Sequence, residues 1–262
     1  MPAIDGRDAD TWDPQQYERF REARERPVHD LLSLVEPSPQ GRAVDLGCGT
    51  GRYTPLLHQR VGASETLGID ASARMLEQRA PHAGDGIRFE RRDITELEGR
   101  WDVVFANASL HWIPDHDELL PHLISHLTPG GQLAVQVPAN FDHPSHTVAD
   151  AVGKDLGLES LDHDAGVVSP ARYAEILWAA DLRDIGVVMR VYGVEMTRTD
   201  HVVEWVTGSL LTRFERALSP ERFAEFRVEY RRRLLDELDD PDGSSPYYFA
   251  FPRILFTGRR PA

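Results

Sequence analysis

The chain of 262 residues contains one cysteine, Cys48, and one lysine, Lys154. A lone cysteine excludes an internal disulfide and any cysteine-based zinc cluster. Histidine does not fill that gap. His111 and His116 are five apart with Pro114 between them, and His143 and His146 lack an evident third ligand, so no metal is expected. The sequence has no apolar run of about 18 residues, which excludes a membrane-spanning helix on hydropathy grounds. Its start, Met-Pro-Ala-Ile-Asp-Gly-Arg-Asp, lacks the basic and apolar stretches of a secretory signal, and a cytoplasmic location is expected. Positive charge is scarce too. Lys and Arg total 29 against 43 Asp and Glu, a net charge of −14. That field has the wrong sign for sequence-independent nucleic-acid binding. Arginine carries nearly all the positive charge, which reflects either genomic base composition or forks for carboxylates. Composition does not choose between them.

What is present points to a folded α/β protein. Apolar residues make up 41% of the chain, enough for a sizeable core. Residues 10–36 read as two short helices: Asp13-Pro14 is a start signal, Tyr17, Phe20 and Arg24 recur at helical spacing, and Pro27 restarts the pattern. From Ala43 short apolar strands alternate with helices. Strands are expected at 43–46, 66–69, 87–91, 102–106 and 132–137, and helices at 52–60, 72–79 and 115–127. This order implies a Rossmann-like, doubly wound, mostly parallel sheet. Further helices are expected at 145–157, 170–180, 200–217 and 220–238, with a strand near 185–192 and a tail strand at 251–257 on the sheet edge. The expected division is a helical lid segment over 1–40, a core over 41–138, a helical substrate-binding insert over 139–250, and the edge strand over 251–262.

The first strand runs into Gly47-Cys48-Gly49-Thr50-Gly51. Glycines at such a junction let the backbone turn sharply and approach a ligand closely, or simply make a tight turn. A dinucleotide fingerprint requires a third glycine at the sixth position, where this chain has Arg52, whose side chain is expected to obstruct helix packing. No Gly-Lys-Ser/Thr follows either. A nucleoside without a pyrophosphate fits better than NAD. Asp70, at the end of the second strand and about 20 residues beyond the loop, suits a ribose diol. An N-cap role there is open to Asp70 but is better met by Ser72. Asp93, after the third strand, is either an acceptor for an adenine amino group, with Ile94 against the ring, or a turn carboxylate. Met75 flanks the adenine or packs in the core. Asn107 and His111 follow the fourth strand and stand near either cofactor or substrate.

These motifs resemble those of the class I S-adenosylmethionine-dependent methyltransferases over residues 43 to about 137. The resemblance implies that the glycine loop, Gly47, Cys48 and Gly49, contacts the amino-acid part of S-adenosylmethionine. Asp70 then holds the ribose, the Asp93 position the adenine, and Asn107 the cofactor wall; Ala71, Ile94, Met75 and Tyr17 are the further candidates for cofactor contact.

A narrower resemblance covers most of the chain. Trp12-Asp13-Pro14 with Tyr17, Phe20, Arg24, Arg26 and Pro27, Ala106-Asn107-Ala108-Ser109-Leu110-His111-Trp112, Ala134-Val135-Gln136-Val137-Pro138, Trp205-Val206-Thr207, and Phe251-Pro252-Arg253-Ile254-Leu255-Phe256 are similar to segments of the trans-aconitate 2-methyltransferase family. That likeness implies an O-methyltransferase making a monomethyl ester of a small polycarboxylate. A carboxylate with a pKa of about 4 is ionised at neutral pH, so no general base is required, and His111 is left at most an orienting role. The protein must anchor the carboxylates that do not react, for which arginine forks are suited. Arg253 is the first such candidate, with Arg24, Arg26 and Arg213 behind it and Trp12, Tyr192 and Trp205 as pocket walls. The chain departs from the family at Tyr192-Gly193-Val194-Glu195, where the family has Tyr-Tyr-His-Gln. Val194 replaces a histidine donor, and Glu195 would repel an anion if it faced the pocket. A methyltransferase for a neutral metabolite is the alternative. The expected partner is a small anionic molecule, with neither nucleic acid nor membrane, and the expected state is a monomer or weak dimer.

Overall fold

A computed structural model describes residues 14–77, 82–158, 166–207 and 210–262, with side chains from residue 22 onward. Trp12, Asp13 and the Tyr17 side chain therefore lie outside the described residues. The chain forms two compact units. The larger comprises residues 27–143, 160–191 and 251–262, and the other residues 1–26, 144–159 and 192–250.

The larger unit is built on a sheet. Its strands are β1 (Arg42–Leu46), β2 (Glu65–Asp70), β3 (Ile87–Arg91), β4 (Trp101–Asn107), β5 (Leu127–Pro138), β6 (Arg183–Met196) and β7 (Tyr247–Arg259), in the order β3-β2-β1-β4-β5-β7-β6. β1 to β5 pair in parallel, and β7 runs antiparallel to β5. This is the expected Rossmann-like, doubly wound α/β fold. Both faces of its central strands are apolar, as a sheet covered by helices on each side requires. Val44, Leu46, Val104, Ala106, Val135 and Val137 point one way, toward Leu120 and Leu123 of α4 (His116–Ser125). Ala43, Val103, Phe105, Ala134 and Leu255 point the other way. They meet Val28 and Leu31 in the last turns of α1 (Pro14–Leu34), Val35 just after it, and Leu57 and Val61 of α2 (Thr54–Val61).

Four sequence expectations are corrected. Residues 14–34 form one helix with Pro27 inside it, not two. A helix-interior proline costs about 3 kcal/mol, and burying Val28, Leu31 and Val35 beyond it, at about 1.5–3 kcal/mol each, outweighs that. The strand expected at 132–137 starts earlier, at Leu127, a residue expected in the preceding helix, and Gly130 within it, at φ 74°, accompanies a shift of register between Trp101 and Val103. The tail strand is not at the edge. β7 lies between β5 and β6, because Ile254, Leu255 and Phe256 are buried on both faces. Residues 200–217 hold two helices, α7 (His201–Thr207) and α8 (Thr212–Ala217), with 208–209 outside the described residues.

Two further helices have serine caps. α3 (Ala73–Leu76) is capped by Ser72, whose hydroxyl accepts from Met75 N at 3.3 Å, and α6 (Pro170–Ala179) is capped by Ser169. The second unit packs α5 (Pro144–Asp155) with α7, α8 and α9 (Pro220–Glu237). Phe214 stacks on Phe226 at 4.4 Å, and the Tyr230 hydroxyl donates to the Ser145 carbonyl at 2.9 Å. Among the described residues no helix is long and apolar enough to cross a membrane.

Candidate functional site

The loop after β1 follows from its glycines. Gly47, Gly49 and Gly51 have φ of 66°, 59° and 77°, the left-handed region where other residues are strained. Each glycine serves a different end. A Cβ on Gly47 would run into the Ser109 side chain. One on Gly51 would stand 2.5 Å from the Phe89 ring, and one on Gly49 would meet nothing within 4 Å. Close helix-to-sheet packing thus falls on Gly51, and Gly49 is the glycine that opens outward. Arg52 is exposed, so the expected obstruction at that position is corrected: the close approach comes one residue earlier.

Asp70 joins this loop to the end of β2. Its Oδ2 accepts from Gly49 N at 2.9 Å and its Oδ1 from Ser72 N at 2.8 Å. Of the two N-cap possibilities, Ser72 takes the role, and Asp70 pins the glycine loop instead. Asp93 caps the 3-10 turn Ile94–Glu96 through one oxygen, Oδ1, which accepts from Thr95 N at 2.9 Å and Thr95 Oγ1 at 2.6 Å. Ile94 is buried and reaches toward Gly47. Ala71 is exposed, its carbonyl accepting from Arg91. Met75 is 47% exposed, which leaves no core-packing role for it.

The end of β4 completes this edge. Ala108 has φ 51°, an uncommon value for a residue with a Cβ. The turn is held by Ala108 N donating to the Gln136 carbonyl at 2.9 Å and by Ser109 Oγ donating to the Leu46 carbonyl at 2.6 Å. Asn107 pairs with Gln136, Gln136 with Leu255, and Pro138 with Arg253. Alternation along a strand therefore places Asn107, Gln136 and Arg253 on one face at the carboxyl edge of the sheet. Asn107 Oδ1 and Gln136 Nε2 are buried without a hydrogen-bond partner among the described residues. Each such group costs about 1–3 kcal/mol. Free space beside Gly49, whose N–H is already held by Asp70, and an amide oxygen unmatched among the described residues at the neighbouring strand end give a polar ligand both room and a partner at this edge. The Arg253 guanidinium lies 5.5 Å from the Phe251 ring. His111 is half-buried, 4.7 Å from Trp112.

Asp45 and Cys48 set the electrostatics beneath the loop. Asp45 is 4% exposed and accepts from Thr54 Oγ1 at 2.7 Å. Burial, opposed by that hydrogen bond and aided by the charge of Asp70, holds its carboxyl up at about 6. Burial also pushes the Cys48 thiol up, beside Asp45 and Asp70, so it is no nucleophile at neutral pH. A folded-state pKa above the ordinary 3.8 means that the native protein keeps a proton the unfolded chain has lost. The resulting cost is absent below about pH 4, grows between pH 4 and 6, and is full above 6, at roughly 3 kcal/mol. Asp45→Asn is accordingly expected to raise the urea unfolding free energy by about 2–3 kcal/mol at pH 8 and by under about 0.5 at pH 4. An equal gain at both values would remove the buried charge as its cause.

The remaining candidates belong to the second unit. Arg24 donates to the Trp205 carbonyl at 2.5 Å and lies 4.4 Å over the Trp205 ring. Arg213 pairs with Asp150 and stacks on Phe214 at 4.5 Å. Arg26 donates to the Gly193 carbonyl at 3.3 Å. Tyr192 and Val194 are buried, and Glu195, one residue on, is exposed. Asp45, Thr54 and Phe89 escaped the sequence reading, and Ser109 and Gln136 entered it only as members of similar segments, without a role. Asp45 alone left a signal, a charge inside a strand otherwise apolar on both faces.

Comparison with known proteins agrees with this geometry. A family model described as "Methyltransferase domain" matches residues 17–195. A trans-aconitate 2-methyltransferase from Deinococcus radiodurans is 40% identical, over 96% of this chain and 99% of that one. The solved YcgJ protein from Bacillus subtilis has a TM-score of 0.60 at 16% identity, covering 89% of this chain and 99% of that one. A phosphoethanolamine N-methyltransferase 2 from Haemonchus contortus, solved in complex with S-adenosyl-L-methionine, has a TM-score of 0.52 at 16% identity, covering 94% of this chain and 53% of that one. A glycine loop pinned by the acid that ends the next strand, on a sheet of this order and with a relative this similar along its whole length, places the chain in the methyltransferase family, among the trans-aconitate 2-methyltransferases.

Proposed function

We propose that the protein transfers a methyl group from S-adenosylmethionine to one carboxylate of trans-aconitate, giving its monomethyl ester. The observation that carries this is the carboxyl edge of the sheet. There the uncrowded Gly49 after β1 is held by Asp70 at the end of β2, the unmatched amide of Asn107 stands at the end of β4, and an arginine, Arg253, lies on the face of Asn107 two strands on. The 40% identical relative carries the same activity in its name. Asp70 and Ala71 would hold the cofactor's ribose, the loop Gly47-Cys48-Gly49 its amino-acid part, and Asp93, Ile94 and Met75 its adenine. When bound, the cofactor supplies an electrophilic methyl group.

The chain's own work is binding and orientation. A substrate carboxylate is already ionised at neutral pH, so neither His111 nor any other side chain has to remove a proton. Arg253 anchors a carboxylate that does not react, as a fork with matching geometry. Holding the reacting atoms in line is worth roughly 7–11 kcal/mol. The substrate is a small molecule, and the net charge of −14 opposes a nucleic-acid partner. The test is incubation with labelled methyl donor and a panel of small acids and phenols, with mass detection of the product. Monomethyl trans-aconitate is expected. Turnover of neutral compounds and of no acid overturns the reading.

A further inference from the structure

In the larger unit His116, the first residue of α4, is 1% exposed, and both of its ring nitrogens are engaged. Nε2 lies 3.0 Å from the Leu110 carbonyl and Nδ1 2.7 Å from the Tyr173 hydroxyl. A carbonyl only accepts, so Nε2 carries the proton and Nδ1 accepts from the tyrosine. The same hydroxyl oxygen accepts from Val168 N at 3.4 Å. Donors and acceptors are thereby ordered from end to end: Val168 N–H to Tyr173 oxygen, Tyr173 O–H to Nδ1, Nε2–H to the Leu110 carbonyl. Tyr173 is fully buried and stacks on Phe256 at 4.4 Å. Gly166 closes the arrangement, since a Cβ there would stand 2.7 Å from the imidazole. Burial lowers the pKa of His116 against the opposite pull of Asp115 and Asp117, the second of which pairs with Arg172. Burial thus favours the neutral ring, for which this order of donors and acceptors holds.

Leu110 is a telling acceptor. It opens the 3-10 turn Leu110–Trp112 that follows Asn107. The residue before it, Ser109, bonds the Leu46 carbonyl and fills the space beside Gly47. The carbonyl gripped by His116 is thus one residue from the side chain against which the glycine loop is set. We propose that His116, ordered by Tyr173, is a positioning residue for the cofactor site, fixing residues 109–113 against the glycine loop through the Leu110 carbonyl without touching a ligand. The same carbonyl accepts from Ile113 N at 2.9 Å within its own turn, so the His116 bond is the one that ties this turn to α4; without it the turn, with Ser109, would be free to shift as a unit. The inference rests on the S-adenosylmethionine reading given above.

The test is calorimetric titration of full-length variants with S-adenosylmethionine near neutral pH, alongside thermal unfolding. His116→Leu is expected to weaken binding at least tenfold. His116→Gln, whose amide can still donate to Leu110 and accept from Tyr173, is expected to stay within about threefold of wild type. Leu177→Ala, a truncation at a fully buried position in the same apolar cluster, is expected to lower the melting temperature and leave affinity within about twofold. Equal losses in His116→Leu and Leu177→Ala, or a His116→Gln as weak as His116→Leu, overturn the proposal. Should His116→Leu fail to fold, Tyr173→Phe decides: about threefold or greater weakening supports the role, and unchanged affinity ends it. Wild type that binds no S-adenosylmethionine overturns the underlying reading, and the inference with it. Wild type that binds while every variant binds equally overturns the inference alone.

Discussion

Asp70→Ala is expected to weaken S-adenosylmethionine binding about 100-fold, and by no less than tenfold, with calorimetry as the measurement. The carboxylate has two tasks, one proposed and one seen. In the proposed site it accepts from the ribose, and through Oδ2 it holds Gly49 N at 2.9 Å. Hydrogen bonds to a charged group are worth about 1.5–3 kcal/mol each, and 1.4 kcal/mol is tenfold in affinity. Losing the ribose grip alone therefore exceeds tenfold, and releasing the glycine loop adds to it. Asp70→Asn, which keeps an acceptor for the loop while losing the charge, should fall between alanine and wild type. An alanine variant with the wild-type dissociation constant would take Asp70 out of the site.

The second large effect is expected on the substrate side. Arg253→Ala should raise the KM for trans-aconitate about 30- to 100-fold while the affinity for S-adenosylmethionine stays within about twofold. Arg253 sits opposite Pro138 on the sheet face shared with Asn107 and Gln136, and a guanidinium there recovers about 2–3 kcal/mol from a carboxylate. Arg253→Lys should restore little, because an ammonium keeps the charge and lacks the planar fork. A KM that does not move in either variant assigns the carboxylate anchor elsewhere. A cofactor affinity that falls together with the KM would show that the substitution disturbed the strand rather than the substrate.

How far the sequence could be read depends on the range of each signal. The glycine loop and Ser72 as a cap rest on neighbours within a turn or a pleat, and each stands where its spacing put it. Pro27 misled for the opposite reason. Its local cost favours a break, and the burial that outweighs it comes from a sheet that begins at Arg42 and ends near the C-terminus. The arginines were legible only as a class. Arg24 on Trp205 and Arg213 on Asp150 are pairings across 181 and 63 residues, and no periodicity reports them.

By itself, then, the amino-acid order determined the strand-and-helix alternation, the parallel sheet it implies, and the acidic and glycine positions at the strand tips, because backbone propensity and side-chain period act over a few residues. Only the folded chain decided that β7 lies inside the sheet, that Gly51 rather than residue 52 makes the close approach, that Asn107 and Gln136 leave amide groups unmatched on one face, and that His116 meets Tyr173 across 57 residues. Those outcomes are set by register and burial, which arise when distant segments exclude water from each other.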